Sequence, residues 1–421
     1  MLSESRWSFL IVRTRDGARQ GWVRPVSLGS WARRTDSKSS GSHEFVLSDN
    51  PGVWSRMRPG RRTLVVCYDG QPLYAGVILS AKYHRNAGTV TLRHEDIWTI
   101  WERRFAIPQY QAWESSTDVV ETEVTYSGWN RRTHAKRAIQ LGLRGPSGYV
   151  HSYELPINLP DDEESNRDMT WRGFEFMTVK NGLARVARRG GPMQTDFPLS
   201  WGSGGELRWN LQVSHVSPIR TGYIHVEAAD SPVIDLTLDH DMSDYASELQ
   251  ITGSGQDVET LHRYHWLGNV TSDLVAMAYL HSDGTIDSDD ELIEVRDNLA
   301  EERRVAHVQV DCTVALGEGG FSPHDFILSQ HIVLRFEDDP IFPRGDHTFM
   351  LIGFTPDGPN ALKLELSPID GFTGYDTEEP VLKYRNLNVS QFDDVTQRIS
   401  RAEKRLVYDR TQTLISRQEA H

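Results

Sequence analysis

Residues 62–79 read Arg62-Thr63-Leu64-Val65-Val66-Cys67-Tyr68-Asp69-Gly70-Gln71-Pro72-Leu73-Tyr74-Ala75-Gly76-Val77-Ile78-Leu79. Two apolar, largely β-branched runs flank Asp69-Gly70, a pair that readily supplies the positive backbone angles of a two-residue turn. The stretch therefore predicts an antiparallel hairpin. Upstream, His43-Glu44-Phe45-Val46-Leu47 alternates as a strand and is followed by the turn Asp49-Asn50-Pro51-Gly52. Downstream, Thr89-Val90-Thr91-Leu92 is a third strand, and Asp96-Ile97-Trp98-Thr99-Ile100-Trp101 has the spacing of a short helix, with Trp98 and Trp101 on its core face. Between Trp31 and Arg104 the sequence specifies a small antiparallel sheet and carries no catalytic constellation.

The order of these elements is more specific than any one of them. A tryptophan-led segment at Trp31 comes first, then a Pro59-Gly60-Arg61 entry to a β-branched strand and Asp69-Gly70. An Ala75-Gly76-Val77-Ile78 strand and an aspartate-led helix carrying Trp98 follow. This order resembles the N-terminal hub domain of minor tail proteins from long-tailed phages of actinobacteria, which look like the central hub of contractile-phage baseplates. The resemblance implies a mainly β (α+β) chain with two tail-tube-like small β-barrel domains, inserted α+β domains and a C-terminal helix. It further implies a homotrimeric structural protein at the tail tip of the virion, closing the tube and opening for DNA passage. Its implied partners are the distal tail protein, the tape-measure protein and other minor tail proteins, and genomic DNA would pass through it transiently without specific binding.

At 421 residues the chain is long enough for about two to four domains. No apolar run approaches the roughly 18 residues of a membrane helix. Trp7-Ser8-Phe9-Leu10-Ile11-Val12 is too short for a signal-peptide core, is followed by Arg13 and Arg15, and reads as the first strand. Cys67 and Cys312 lie in separate strand-like runs and are expected as buried free thiols. Asn269-Val270-Thr271 matches a glycosylation acceptor and, with no signal peptide read in the sequence, is expected to be a chance match.

Charge is distributed unevenly along the chain. Residues 1–110 carry 17 Lys and Arg against 9 Asp and Glu, whereas residues 227–297 carry 17 acidic residues and only Arg263 and Arg296 as basic ones. The arginines of the first region are scattered through strands and loops without a nucleic-acid-binding signature. A wall that lets DNA slide past needs the opposite sign, because lysines and arginines capture phosphates through counterion release. The acidic segment is accordingly expected to face a DNA conduit, and the basic region to meet acidic neighbouring subunits.

Four parts are expected: 1–107 as an N-terminal hub barrel, 108–232 as an inserted α+β region, 233–385 as a second tube-like β domain with a helical insertion, and 386–421 as a C-terminal helix. Within the second part, residues 118–124 read as a strand, 130–143 as a helix, 161–168 as an acidic linker and 171–189 as a helix stopped by Gly190-Gly191-Pro192. Strands are expected around 197–199 and 207–211. A strand over 233–238, an aspartate-rich loop and a strand at 249–252 repeat the hub-like order. Residues 289–304 form a helix with acidic residues in its first turn and Arg303-Arg304 in its last. Strands at 308–310, 332–336, 348–352 and 362–366 close the part, and Arg344-Gly345-Asp346 between two of them reads as a turn. In the last part, Ser390 caps a helix in which Phe392, Val395, Ile399, Ala402 and Leu406 form a two-heptad seam. Such a seam could zip three helices together on an already trimeric body, or could pack on its own domain.

Enzyme signatures are missing. The sequence has no Gly-x-Ser-x-Gly elbow, no His-Glu-x-x-His helix and no Gly-Lys of a phosphate loop. His262 and His265 are the best acid-base or metal candidates, but no carboxylate partner is ordered with them. Neither the aspartates at 239, 241 and 244 nor those at 283, 287, 289 and 290 have EF-hand spacing. No catalytic residue, cofactor or metal is expected. The 12 tryptophans keep one alternative open, a tail-fibre-type glycan-binding or glycan-degrading protein contacting the host surface.

Overall fold

The computed structural model describes residues 6–108, 119–144, 153–188, 193–214, 220–267, 275–284, 286, 288–303, 307–339 and 341–369. Strands dominate it. The first sheet contains β1 (Trp7–Arg13), β2 (Arg19–Val23), β4 (Ser40–Val46), β5 (Arg62–Tyr68), β6 (Gln71–His84) and β7 (Thr89–Glu95) in the order β2-β1-β5-β6-β7-β4. Between β2 and β4 lies the two-residue strand β3 (Arg33–Arg34), and the single-turn helix α1 (Val53–Arg56) lies between β4 and β5. The β5-β6 hairpin forms at Asp69-Gly70, with φ of 48° and 75°, as its sequence demands.

The continuous apolar run of β5 has a simple cause, because the first sheet is buried on both faces. Leu64, Val66 and Tyr68 point into one core with Trp7, Phe9 and Ile11 of β1. Val65 and Cys67 point into another with Leu10 and Val12. That second core belongs to the region that follows β7. There, α2 (Trp98–Trp101) buries both tryptophans, and β8 (Glu123–Tyr126), α3 (Arg131–Gly142), β9 (Ile157–Asn158), β10 (Met169–Arg172) and α4 (Val179–Arg188) come next. Helix α3 starts where Asn130 Oδ1 accepts the Thr133 N–H at 2.9 Å. Two expected boundaries move. The strand expected at 118–124 is found only as β8 from Glu123 onward, Val119 and Val120 being helical, and the helix expected from residue 171 begins at Val179, because Trp171 is on β10 opposite Val124 and packs its buried ring in the second core. Strands β11 (Gln194–Asp196), β12 (Leu199–Trp201), β13 (Leu207–Asn210) and β14 (Gln212–Ser214) complete this region, and β12 pairs antiparallel with β13 as expected.

The second large sheet follows the order β15-β21-β22-β23-β20-β16. Its strands are β15 (Thr221–His225), β16 (Val233–Asp241), β20 (His307–Ala315), β21 (His331–Phe336), β22 (Gly345–Pro356) and β23 (Ala361–Pro368). Alternation is clean here: Val310, Cys312 and Val314, then Ile332, Leu334 and Phe336, then Leu362, Leu364 and Leu366 enter the same core as the first sheet. An inserted unit between β16 and β20 comprises β17 (Glu248–Thr252), β18 (His262–Trp266), β19 (Ala278–Ser282) and α5 (Asp289–Arg303) around a small core of its own.

Neither large sheet closes into a barrel, which corrects the expectation of two closed small barrels. In the first, the segment after β2 turns along β4 but meets it only at isolated bridges, Pro25 with Phe45 and Ser30 with Ser42. Pro25 has no N–H to extend a ladder. The two sheets instead meet face to face around Trp31, which stacks on Tyr74 at 5.3 Å and meets Trp7 edge-on at 6.0 Å and Phe354 of β22 at 6.4 Å.

Truncating Trp31 to alanine removes the ring common to both sheets and is expected to cost about 3–5 kcal/mol. Hydrogen exchange should show amides of β5 and β22 losing protection together; loss confined to one sheet would refute the shared core.

Candidate functional site

The segment from Arg33 to Ser39 is where three parts of the molecule are tied together. Its first two residues, as β3, pair with Phe354 and Gly353 of β22. Arg34 then grips Glu365 of β23 with both arms of its guanidinium, Nε to Oε2 at 2.6 Å and Nη2 to Oε1 at 2.5 Å. A Cβ on Gly353 would lie 2.5 Å from Glu365 Oε2 and 2.9 Å from Arg34 Cγ, so only glycine admits this pair. Arg33 donates to the buried Asp196 of β11 at 2.5 Å, and the Thr195 N–H donates to Asp36 Oδ1 at 2.8 Å. Lys38 reaches Glu102 beyond α2 at 2.9 Å, and Glu102 also accepts from Lys180 of α4 at 2.8 Å. The strap ends on the first sheet, where Ser39 N–H donates to Asp96 Oδ2 at 2.9 Å.

Beside the strap, the first sheet holds a buried polar line. His43 Nδ1 and His94 Nε2 are 2.8 Å apart, and His94 Nδ1 is 3.0 Å from the Tyr74 hydroxyl. Burial lowers His43 to about 4, and burial with the neighbouring His43 lowers His94 to about 3, so both rings are neutral at physiological pH. Asp96 is half-buried and moves the other way: burial raises it to about 7 against the pull of the Ser39 and Trp98 N–H groups.

These groups fasten and orient; they offer no nucleophile. Cys67 and Cys312 are free and buried, as expected, and burial pushes both thiols up to about 12. His262 and His265 lie on opposite faces of β18. His262 Nε2 is 2.6 Å from Gln250 Oε1, while His265 is opposite Leu249 on the helix-covered face. Asp241 accepts from Ser243, Asp244 pairs with Arg303 and Asp289 with Arg263, and Asp287 falls outside the described residues. Among the described residues, no group of three or more His, Cys, Asp or Glu is placed to hold a metal ion. None of their helices is long and apolar enough to cross a membrane. Arg344-Gly345-Asp346 is a strand entry, its Asp346 accepting from the Tyr223 hydroxyl at 2.7 Å. The coil residues Phe392, Val395, Ile399, Ala402 and Leu406 lie outside the described residues. The strap itself escapes a reading of the sequence, since its partners Asp196 and Glu365 are 163 and 331 residues away. Its one local sign is the charged run Arg33-Arg34-Thr35-Asp36-Ser37-Lys38, two residues after Trp31.

No protein-family model matches the chain, and no curated protein sequence matches it. Among solved structures it is similar to a tail protein from Neisseria meningitidis MC58, with a TM-score of 0.48 and 14% identity over 87% of this chain and 98% of that one. A 43 kDa tail protein of prophage MuSo2 from Shewanella oneidensis matches with a TM-score of 0.48 and 10% identity over 86% and 98%. Prophage tail protein gp18 from Listeria monocytogenes EGD-e matches with 0.46 and 9% over 86% and 94%.

Two measurements probe the junction. Arg34→Ala leaves the buried Glu365 carboxylate without its fork and should cost about 1–3 kcal/mol, allowing for the half-exposed arginine, with most of the loss recovered in Arg34→Ala/Glu365→Gln; no recovery would mean that the pair does not act as a unit. The titrating groups set opposite slopes. Neutral His43 and His94 contribute stability above about pH 6.5 that is lost as pH falls toward 3. Asp96, held protonated, contributes stability below about pH 4 that is lost as pH rises through 7. Asp96→Asn should therefore raise the melting temperature at pH 8 relative to wild type by several degrees more than at pH 4. An equal change at both would show that Asp96 titrates normally.

Proposed function

We propose that the chain is a structural component of a bacteriophage tail tip, a trimeric hub that closes the tail tube and opens for DNA passage. The observation that carries this reading is the pairing of two antiparallel-rich sheets, of six and seven strands, within one chain across one core. Three copies would place six sheets about the tail axis, matching a sixfold tube to a threefold tip. The hub-like order of elements from Trp31 to Arg104 supports the same reading.

In this scheme residues 1–107 and 233–385 are the two tube-like domains, 108–232 is the inserted region and 386–421 supplies a helix whose Phe392, Val395, Ile399, Ala402 and Leu406 zip three copies together. The exposed aspartates of β16, Asp235, Asp239 and Asp241, face the conduit and keep DNA mobile by repulsion. The distal tail protein, the tape-measure protein and further minor tail proteins are the partners, and the role is mechanical, without cofactor or catalysis.

The mass of the purified protein in solution, with electron microscopy of assembled tails, tests the reading. A trimer, roughly 144 kDa from three chains of 47.9 kDa, and a ring at one end of the tail are expected. A stable monomer and tails lacking such a ring would overturn it, and specific binding of cell-wall glycans would favour the tail-fibre alternative.

A further inference from the structure

One end of the first sheet carries a surface that the described residues leave bare. Trp54 of α1 and Tyr83 of β6 touch at a ring separation of 6.1 Å, yet they are 52% and 48% exposed. Arginines ring them. Asn50 ties the backbone of Arg24 to the loop before α1, donating to the Arg24 carbonyl at 2.9 Å and accepting its N–H at 2.6 Å. The guanidinium of Arg56 lies over Gly21 of β2, and the turn bearing Arg85 is held to the same loop by the Leu47 N–H, which donates to Gly88 at 3.0 Å. Arg58 follows α1 and is exposed. Arg24, Arg56, Arg58 and Arg85 make no ion pair with a described carboxylate, and Asp49 is the one acid of the intervening loop. The crowding extends along the sheet end: burial, and then the like charges of Arg13, Arg58 and Arg61, hold Arg62 below the usual arginine range. Exposed aromatic rings among unneutralised arginines are the composition of an interface centre rather than of a solvated surface.

The inserted unit presents the complement. Helix α5 covers one face of its three-stranded sheet, where Leu249 and Ile251 are buried, and the other face is open. On that open face Tyr264 and Leu280 flank Gln250, and Trp266 and Ala278 flank Glu248. Tyr264, Trp266 and Leu280 are 50%, 45% and 64% exposed. Along the central strand Gln250 Nε2 donates to Glu248 Oε1 at 2.7 Å, and Asp257 and Glu259 are on the β17-β18 connection at the opposite end of the sheet. Asp257 and Glu259 make no ion pair among the described residues.

We infer that the open face of the β18-β17-β19 sheet docks on the Trp54-Tyr83 arginine surface of a second copy of this chain. The occupant follows from charge and shape. A surface whose arginines make no ion pair among the described residues and the acidic segment 227–297 belong to the same chain, and each has a half-exposed pair of aromatic residues. Arginines meeting Tyr264 and Trp266 gain cation-π contacts as well as ion pairs with Glu248 and Glu259. Two different surfaces on each copy make the contact head-to-tail, so it can close a ring. The identity of the partner rests on the hub reading; the complementarity of the two surfaces does not.

The test uses charge reversal in the full chain. Arg58→Glu/Arg85→Glu alters exposed side chains only and should weaken self-association roughly tenfold to a hundredfold, measured by analytical ultracentrifugation, with the melting temperature of the monomer unchanged. Glu248→Lys/Glu259→Lys should do the same. Combining all four substitutions in one chain should restore association to within a few fold of wild type. Trp54→Ala and Trp266→Ala should weaken it without reversing any charge. Rings that form equally well from the reversed variants would overturn this interface and leave the hub reading standing. Charge-sensitive association into particles that are not rings would keep the interface and sink the hub. A wild-type chain that stays monomeric overturns both. Binding of a duplex oligonucleotide that Arg58→Glu/Arg85→Glu abolishes, with association unchanged, would assign the arginine surface to nucleic acid instead.

Discussion

The contact on which the rest of this molecule depends is the burial of Trp31 between two sheets. Its ring has Tyr74 on one side, Trp7 at its edge and Phe354 from the opposite sheet, and its carbonyl accepts the Thr355 hydroxyl at 2.7 Å. Aromatic residues of this size each withdraw a large area from water and hold preferred mutual angles, so a cluster of them fixes orientation as well as distance. Because Trp31 is so held, the residues just after it enter β22 as β3 and the following charges reach Glu365, Asp196 and Glu102. The polar strap is thus positioned by an apolar anchor.

The two sheets reach this common core by different sequence solutions. The second alternates along β20, β21 and β23, and a bulge in β22 keeps both Leu351 and Phe354 in the core. The first is covered twice, by the second sheet on one face and by α2, α3 and α4 with their neighbouring strands on the other. Within it a buried histidine pair and a buried tyrosine hydroxyl are joined in a line, His94 being partnered through both ring nitrogens. The exposed aromatic surfaces of α1 and of the inserted unit stand apart from this economy.

What is legible in the sequence is what local chemistry decides. Asp69-Gly70 specifies its hairpin, Asn130 its helix start, Trp98 and Trp101 their buried turn, and residues 289–304 their helix almost to the residue. Trp171 misleads because its periodicity suits a helix, while pairing with Val124 and burial in the second core make it a strand residue. The expected barrels are open sheets because closure depends on where Pro25 and its neighbours meet β4. The parallel pairing of β15 with β21 and the whole strap are hidden for another reason: their partners lie more than a hundred residues away, where no window of sequence links them. Of the candidate site, only the charged run Arg33–Lys38 is visible in the sequence, without its partners.

The entry of β3 into the second sheet also fixes an order of synthesis. Trp31 leaves the ribosome early, but the strand that covers it carries Thr355, 324 residues later. Until then the first sheet can form its hairpins while one whole apolar face stays in water. Folding therefore has a late, long-range closing step, with the loop-closure entropy of hundreds of residues set against it. A nascent chain in that state is a client for a chaperone and a hazard for aggregation. Expression at low temperature or with a holdase should matter more for this protein than its finished, densely fastened core would suggest.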